Sequence, residues 1–135
     1  MNSQTGEPGV VIVGAGEAGG GLTGVLRQQG YAGSITLIGD ESYAPYRRPP
    51  LSKAFLAGEA TLESLYLKSA ESYARHQIDC RYGTGVESID RQARTVRLFD
   101  TTTIPYTHLV LATGGHARRS TTGYVWMVTQ AWALP

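Results

Sequence analysis

Glycines carry the most legible chemistry in this chain. Gly14-Ala15-Gly16-Glu17-Ala18-Gly19 has the spacing G-x-G-x-x-G. That spacing is weak evidence by itself. It gains force when it follows an apolar strand, opens a helix and lies inside a βαβ unit of about 30 residues. Val10-Val11-Ile12-Val13 stands directly before it, and a helical pattern follows. The chemistry is diphosphate binding. Gly14 permits the tight turn, Gly16 lets the backbone approach a pyrophosphate, and Gly19 lets the helix pack close to the strand. The N–H groups free at the helix start then face the anion. Such a site needs no lysine, and the lack of a Gly-Lys-Ser/Thr ending excludes a P-loop. The competing reading is a glycine-rich turn with no ligand.

The same pattern asks for an acid about 20 residues further on. Asp40 lies 21 residues after Gly19, just past a second apolar run. Its carboxylate can accept hydrogen bonds from an adenosine ribose, and Glu41 is the alternative. An acid there repels a 2′-phosphate. Lys53 lies beyond the proline-stiffened segment 45–50, where it is either a solvent lysine or a partner for phosphate or for a carboxylate on the flavin side. His76, His108 and His116 have no mutual metal-ligand spacing. The chain carries no Ser/His/Asp or Cys/His arrangement for nucleophilic catalysis. Cys80 is the only cysteine, so it forms no intramolecular disulfide and fits a core or half-buried strand position.

These residues need elements to position them. Val10–Val13 reads as a buried parallel strand. A helix from about Glu17 to Gln29 would place Leu22, Val25 and Leu26 on one face, with Gly30 as its stop. Gly20, Gly21 and Gly24 each cost that helix roughly 1 kcal/mol against alanine, which points to close backbone packing or else to an imperfect helix sequence. Ser34–Ile38 forms the second strand. Residues 41–60 read as irregular because of Pro45, Pro49 and Pro50, with a helix over 51–56. Helices follow around 61–67 and 71–76, and a third strand over 78–82. Val86–Ile89 and Thr95–Phe99 read as strands joined at Asp90-Arg91-Gln92. Thr107–Leu111 is an apolar strand running into Ala112-Thr113-Gly114-Gly115.

Composition narrows the class. The 135 residues suit one ordinary domain, with 41% hydrophobic and 17% charged residues. A net charge of +1 sets up no field for nucleic acid or an acidic membrane. The pairs Arg47-Arg48 and Arg118-Arg119 are too short to change that. No apolar run approaches the length of a membrane span, and residues 1–9 are polar, so a cytoplasmic protein is expected. The 17 glycines follow no period, which excludes collagen.

Taken together, several segments resemble the FAD-dependent NADH:ferredoxin reductases that serve bacterial oxygenase systems. This group includes the putidaredoxin and rubredoxin reductases of the pyridine nucleotide-disulfide oxidoreductase superfamily. The segments are Val10–Gly19, Leu37-Ile38-Gly39-Asp40-Glu41, Pro45–Lys53, Glu63-Ser64-Leu65-Tyr66-Leu67 and Tyr106–Gly115. The resemblance covers about residues 9–119. It implies an α/β fold: a Rossmann-like FAD-binding βαβ unit with a parallel sheet and a small antiparallel hairpin or meander. It further implies that Gly14, Ala15 and Gly16 hold the FAD diphosphate, with Gly19 completing the fingerprint, and that Asp40 holds the ribose. Arg48 and Lys53 would lie along the cofactor, with Lys53 near the flavin ring. Val86 would meet the adenine side through its backbone, and Ala112, Thr113 and Gly114 would pass close to the FAD. Family members take a hydride from NADH and release electrons singly to a ferredoxin-type iron–sulfur protein. The flavin does that chemistry, so no catalytic side chain is expected.

The chain departs from the family in places. His116-Ala117-Arg118 stands where Arg-Pro-Arg is usual, Thr101 where a glycine often follows the hairpin aspartate, and Thr107 where an aspartate is common. Alanines are usual at Gly20, Gly21 and Gly24. A second fingerprint for NADH, a returning Gly-Asp motif and a C-terminal domain find no counterpart in the sequence. The expectation is therefore an incomplete FAD domain: a disordered N-terminus over 1–9, the N-terminal part of the domain over 10–119, and an atypical uncharged tail over 120–135. Such a piece is expected to be inactive alone, with its C-terminal half possible as a separate chain. The alternatives are a non-catalytic nucleotide-binding or interaction module and a small NAD-binding protein.

Overall fold

A computed structural model describes residues 8–115. The expectations for residues 1–7, His116, Arg118-Arg119 and the tail 120–135 lie outside the described residues.

The first unit is β1 (Gly9–Val13), α1 (Glu17–Gln28) and β2 (Ile35–Ile38). Every residue of β1 and β2 is buried, which is what largely β-branched, apolar runs demand of strands covered on both faces. β3 (Ile78–Arg81) adds in parallel beside β2. The chain then forms the antiparallel pair β4 (Val86–Asp90) and β5 (Thr95–Leu98) and returns as β6 (Thr103–Leu111). The sheet order is β3-β2-β1-β6-β5-β4.

β6 is longer than the apolar pattern suggested. Thr103–Pro105 pairs antiparallel with β5, and Tyr106–Leu111 pairs parallel with β1. The register shifts between Gly9 and Val10. Nearby, the Thr107 hydroxyl donates to the Gly9 carbonyl at 3.1 Å. One strand thus joins the nucleotide-type sheet to the meander.

Alternation splits the core in two. Val10, Ile12, Ile35 and Leu37 face the helices, together with Tyr73 of α3 (Ala70–Arg75), Leu22 and Leu26. Val11, Val13 and Ile38 face Val96, Leu98, Ile104 and Tyr106. Full burial of each such aliphatic side chain stabilises the fold by about 1.5–3 kcal/mol.

Three expectations need correction. Val25 is half exposed; α1 instead buries Gly19, Gly20 and Thr23. Of the three helix glycines expected to pack closely, only Gly20 does so, since a Cβ there would meet Pro45 Cβ at 2.5 Å; Gly21 has nothing within 4 Å, and Gly24 meets only the flexible end of Lys68. The helix expected over 51–56 is a 3₁₀ turn over Pro49–Ser52. The two prolines are tolerated at its start, where their missing N–H groups cost nothing, and turns follow to Gly58. The segment around it is less irregular than its prolines suggested. Tyr46, Leu51 and Leu65 form a small core of their own, with Leu65 from α2 (Leu62–Leu65). The Arg47 N–H donates to the Leu65 carbonyl, and the Leu67 N–H to that of Pro45, both at 2.9 Å.

Candidate nucleotide-binding site

The parallel strands β1, β2, β3 and β6 all end on one edge of the sheet. Beside β1 the chain order reverses, since β2 lies on one side and β6 on the other. Such a switch point opens a crevice at the carboxyl ends of the strands, where ligands of open α/β sheets bind.

The glycine turn sits there. Gly14 has φ +113°, and a Cβ on it would fall on the Ala112 carbonyl. Its N–H donates to the Ile38 carbonyl at 2.8 Å, and the Ala112 N–H donates to the Val13 carbonyl at 2.7 Å. The turn is thereby tied to both neighbouring strands. A Cβ on Gly19 would strike the Gly14 carbonyl and lie 3.2 Å from Ile12 Cγ2. A Cβ on Gly39 would lie 2.5 Å from that of Ala15. Gly16 is the N-cap of α1 in an extended conformation. No side chain caps that end, and nothing lies within 4 Å of where its Cβ would be. An uncapped helix start with open space before it is what an approaching diphosphate needs. Glycine therefore serves packing at positions 14 and 19 and access at position 16.

Ala112, Thr113 and Gly114 leave β6 beside this turn, with Gly114 at φ +65° and exposed. The structure thus gathers Gly14, Ala15, Gly16, Gly19 and Ala112 directly, with Thr113 and Gly114 next along the chain.

The two acids differ. Asp40 is exposed, and its Oδ1 accepts the Glu41 N–H at 3.0 Å. It borders an open depression of about 600 Å³, lined also by Arg81–Gly85, Phe99 and Asp100. The Glu41 carboxylate is engaged elsewhere. Its Oε2 accepts the Tyr46 hydroxyl at 2.6 Å, and its Oε1 pairs with the Arg48 guanidinium. Of the two, Asp40 is the acid left facing the depression. Burial, then the bond to Glu41, pushes the Tyr46 phenol up to about 12.

The remaining expected residues lie apart from the glycine turn. Arg48 pairs with Glu41 and lies over the Tyr46 ring, 5.3 Å from its centre. Lys53 is exposed at the end of the 3₁₀ turn. Val86 packs its side chain against the Val96–Leu98 core, while the residues just before it line the depression. Those residues, Gly83-Thr84-Gly85, were missed as site candidates, although Gly-Thr-Gly between two strands marks a tight backbone approach. Here the Thr84 N–H donates to the Gly39 carbonyl at 3.1 Å, and the Gly83 N–H to that of Glu41 at 2.9 Å.

A second cavity of about 250 Å³ lies under α3, lined by Tyr73, Ile78, Cys80 and Tyr82 among others. Cys80 is half-buried, as a strand position predicts. Burial raises its thiol and pushes the Tyr73 phenol up to about 12. Among the described residues, no His/Cys/Asp/Glu group can hold a metal ion, and no helix is long and apolar enough to cross a membrane.

With this geometry in view, comparison with known proteins is decisive. The sequence matches the family described as pyridine nucleotide-disulphide oxidoreductase over residues 8–126. The chain belongs to that family. It is 48% identical over 109 residues to rhodocoxin reductase of Rhodococcus erythropolis, a match covering 81% of this chain and 26% of that protein. It is 49% identical over 109 residues to putidaredoxin reductase CamA of Pseudomonas putida, with the same shares of 81% and 26%. Its fold superimposes on the reductase in the crystal structure of the covalent putidaredoxin reductase–putidaredoxin complex. There the TM-score is 0.82 and the identity 46%, over 86% of this chain and 28% of the other. The chain thus spans about a quarter of the length of the relatives it matches. The resemblance drawn from the sequence holds, as does the α/β fold with its added meander.

Proposed function

We propose that this chain supplies the part of a flavoprotein reductase that grips the ADP half of FAD. In the whole reductase, electrons would pass from NADH through FAD to a ferredoxin-type iron–sulfur protein in the cytoplasm. The observation that carries the reading is the βαβ turn: Gly14 and Gly19 closed against backbone, and Gly16 open before an uncapped helix. FAD, when bound, supplies the two-electron acceptor and one-electron donor that such a reaction needs.

The chain's own residues bind and orient. The first-turn N–H groups of α1 receive the diphosphate. Asp40 accepts the ribose hydroxyls and repels a phosphorylated ribose. Ala112–Gly114 flank the cofactor where β6 leaves the sheet, and Arg48 and Lys53 extend along it. Val86 offers its backbone on the adenine side. Among the described residues, a single glycine turn joins a parallel strand to a helix in this way. Hydride transfer requires donor and acceptor held together, so the chain alone is expected to bind nucleotide without turning over NADH.

The purified chain should take up FAD and show a protein-bound flavin spectrum. Its NADH-to-ferricyanide rate with added FAD should not exceed that of free flavin. A chain that stays colourless with FAD yet titrates with NADH would overturn the reading in favour of a small NAD-binding protein.

A further inference from the structure

We infer that Phe99 is the aromatic wall on which the adenine ring rests, an inference that depends on the nucleotide reading above. Phe99 follows the last residue of β5 and is 69% exposed. Single exposed apolar side chains are ordinary, so exposure alone decides nothing; position does. Val25 and Leu56 are also exposed and border neither cavity. Phe99 lines the same depression as Asp40. Its N–H donates to the Gly85 carbonyl at 3.1 Å. Its ring lies over Gly85, since a Cβ there would be 3.2 Å from both Cδ2 and Cε2. Glycine at 85 therefore leaves room for the ring, and the ring covers a backbone that is itself bonded to the site.

The walls of the depression match the parts of an adenosine. A carboxylate at Asp40 suits ribose hydroxyls, the side-chain-poor stretch Gly83-Thr84-Gly85 leaves room for a base, and the Phe99 ring suits its flat face. Base–aromatic stacking is tolerant of base identity but needs a planar partner. Asp100 places a second carboxylate in the depression, held by the Thr102 N–H at 2.9 Å on its Oδ1. Arg81, the cation in the same lining, has its Nε paired to Asp79 at 3.0 Å. The balance favours an unphosphorylated ribose.

The test uses the full 135-residue chain, titrated with ADP by calorimetry and observed through the adenine protons by NMR. Phe99→Leu keeps an apolar side chain and removes the flat ring; Phe99→Trp restores a ring. Phe99→Leu should weaken ADP about tenfold, as expected for one stacked base, and abolish the upfield ring-current shift of adenine H2 and H8. Phe99→Trp should recover both. If Phe99→Leu binds ADP like the parent with the same proton shifts, the inference falls while the nucleotide reading stands. If the parent chain binds neither ADP nor FAD, both fall together.

Discussion

The β1–α1 turn and the β5–β6 turn meet similar steric demands with opposite residues. At the first, Gly14 takes φ +113° against the Ala112 carbonyl, and only a residue without a Cβ fits. At the second, Thr101 takes φ +71°. A β-branched residue is a genuine outlier there, at a cost on the order of 1–2 kcal/mol. The hairpin withstands that cost because its ends are bonded. The Thr101 N–H donates to the Leu98 carbonyl at 3.0 Å, the Leu98 N–H to that of Thr102 at 2.9 Å, and Asp100 holds the Thr102 N–H. The first turn has no such slack, because its backbone is both the packing surface and the proposed ligand cradle. A strained side chain is therefore accommodated at the hairpin, whereas the glycine turn has no room for one.

The contrast is most exposed to substitution at its rigid end. Gly14→Ala should destabilise the chain by about 3 kcal/mol or more, since it adds a clash with backbone to a disfavoured φ. Denaturant unfolding measures this, and a loss below about 1 kcal/mol would mean that the turn is as forgiving as the hairpin. Next in size is the acid. Asp40→Ala should weaken ADP about tenfold by calorimetry, in the range of a hydrogen bond to a charged group. Glu41→Gln should change ADP affinity by less than about twofold, because that carboxylate is held by Tyr46 and Arg48. A reversed ranking would move the ribose to Glu41.

At the tolerant end, Thr101→Gly should stabilise the chain by about 1 kcal/mol by relieving the left-handed strain. An unchanged or lower denaturation midpoint would show that the strain is offset elsewhere. The smallest effect concerns pH. The Tyr46 and Tyr73 phenols are raised from 10.0 to about 12 in the folded chain, mainly by burial. Between those values the unfolded chain releases protons that the folded chain keeps, so stability falls as pH rises. It should be level below about pH 8, begin to fall as the Cys80 thiol, also raised by burial, ionises first in the unfolded chain, and decline further between pH 10 and 12. Tyr73→Phe should flatten part of that decline in unfolding curves measured from pH 8 to 12.

The glycine turn was legible because three local signals agreed: a β-branched run, fixed glycine spacing and an acid after the second strand. The β4–β5 hairpin was legible from its turn residues. The first half of β6 was not, because Thr103, Ile104 and Pro105 carry no apolar run and belong to a strand only through β5. Val25 misled because helical spacing groups it with Leu22 and Leu26; those two pack on the strand core, whereas Val25 lies at the edge of the stripe and is half exposed. The core of Tyr46, Leu51 and Leu65 joins positions far apart in sequence through the isolated pairing of Tyr46 with Tyr66. Phe99 and Gly83–Gly85 were invisible as a site because folding alone brings the two loops together beside Asp40.

The central claim is that this βαβ unit binds FAD through its ADP half. Displacement of FAD by ADP tests it most directly, with bound flavin followed by its fluorescence. The account predicts that FAD binds the chain with saturation and that ADP displaces it competitively. FAD binding that ADP leaves untouched, or no FAD binding by the folded chain, would contradict it.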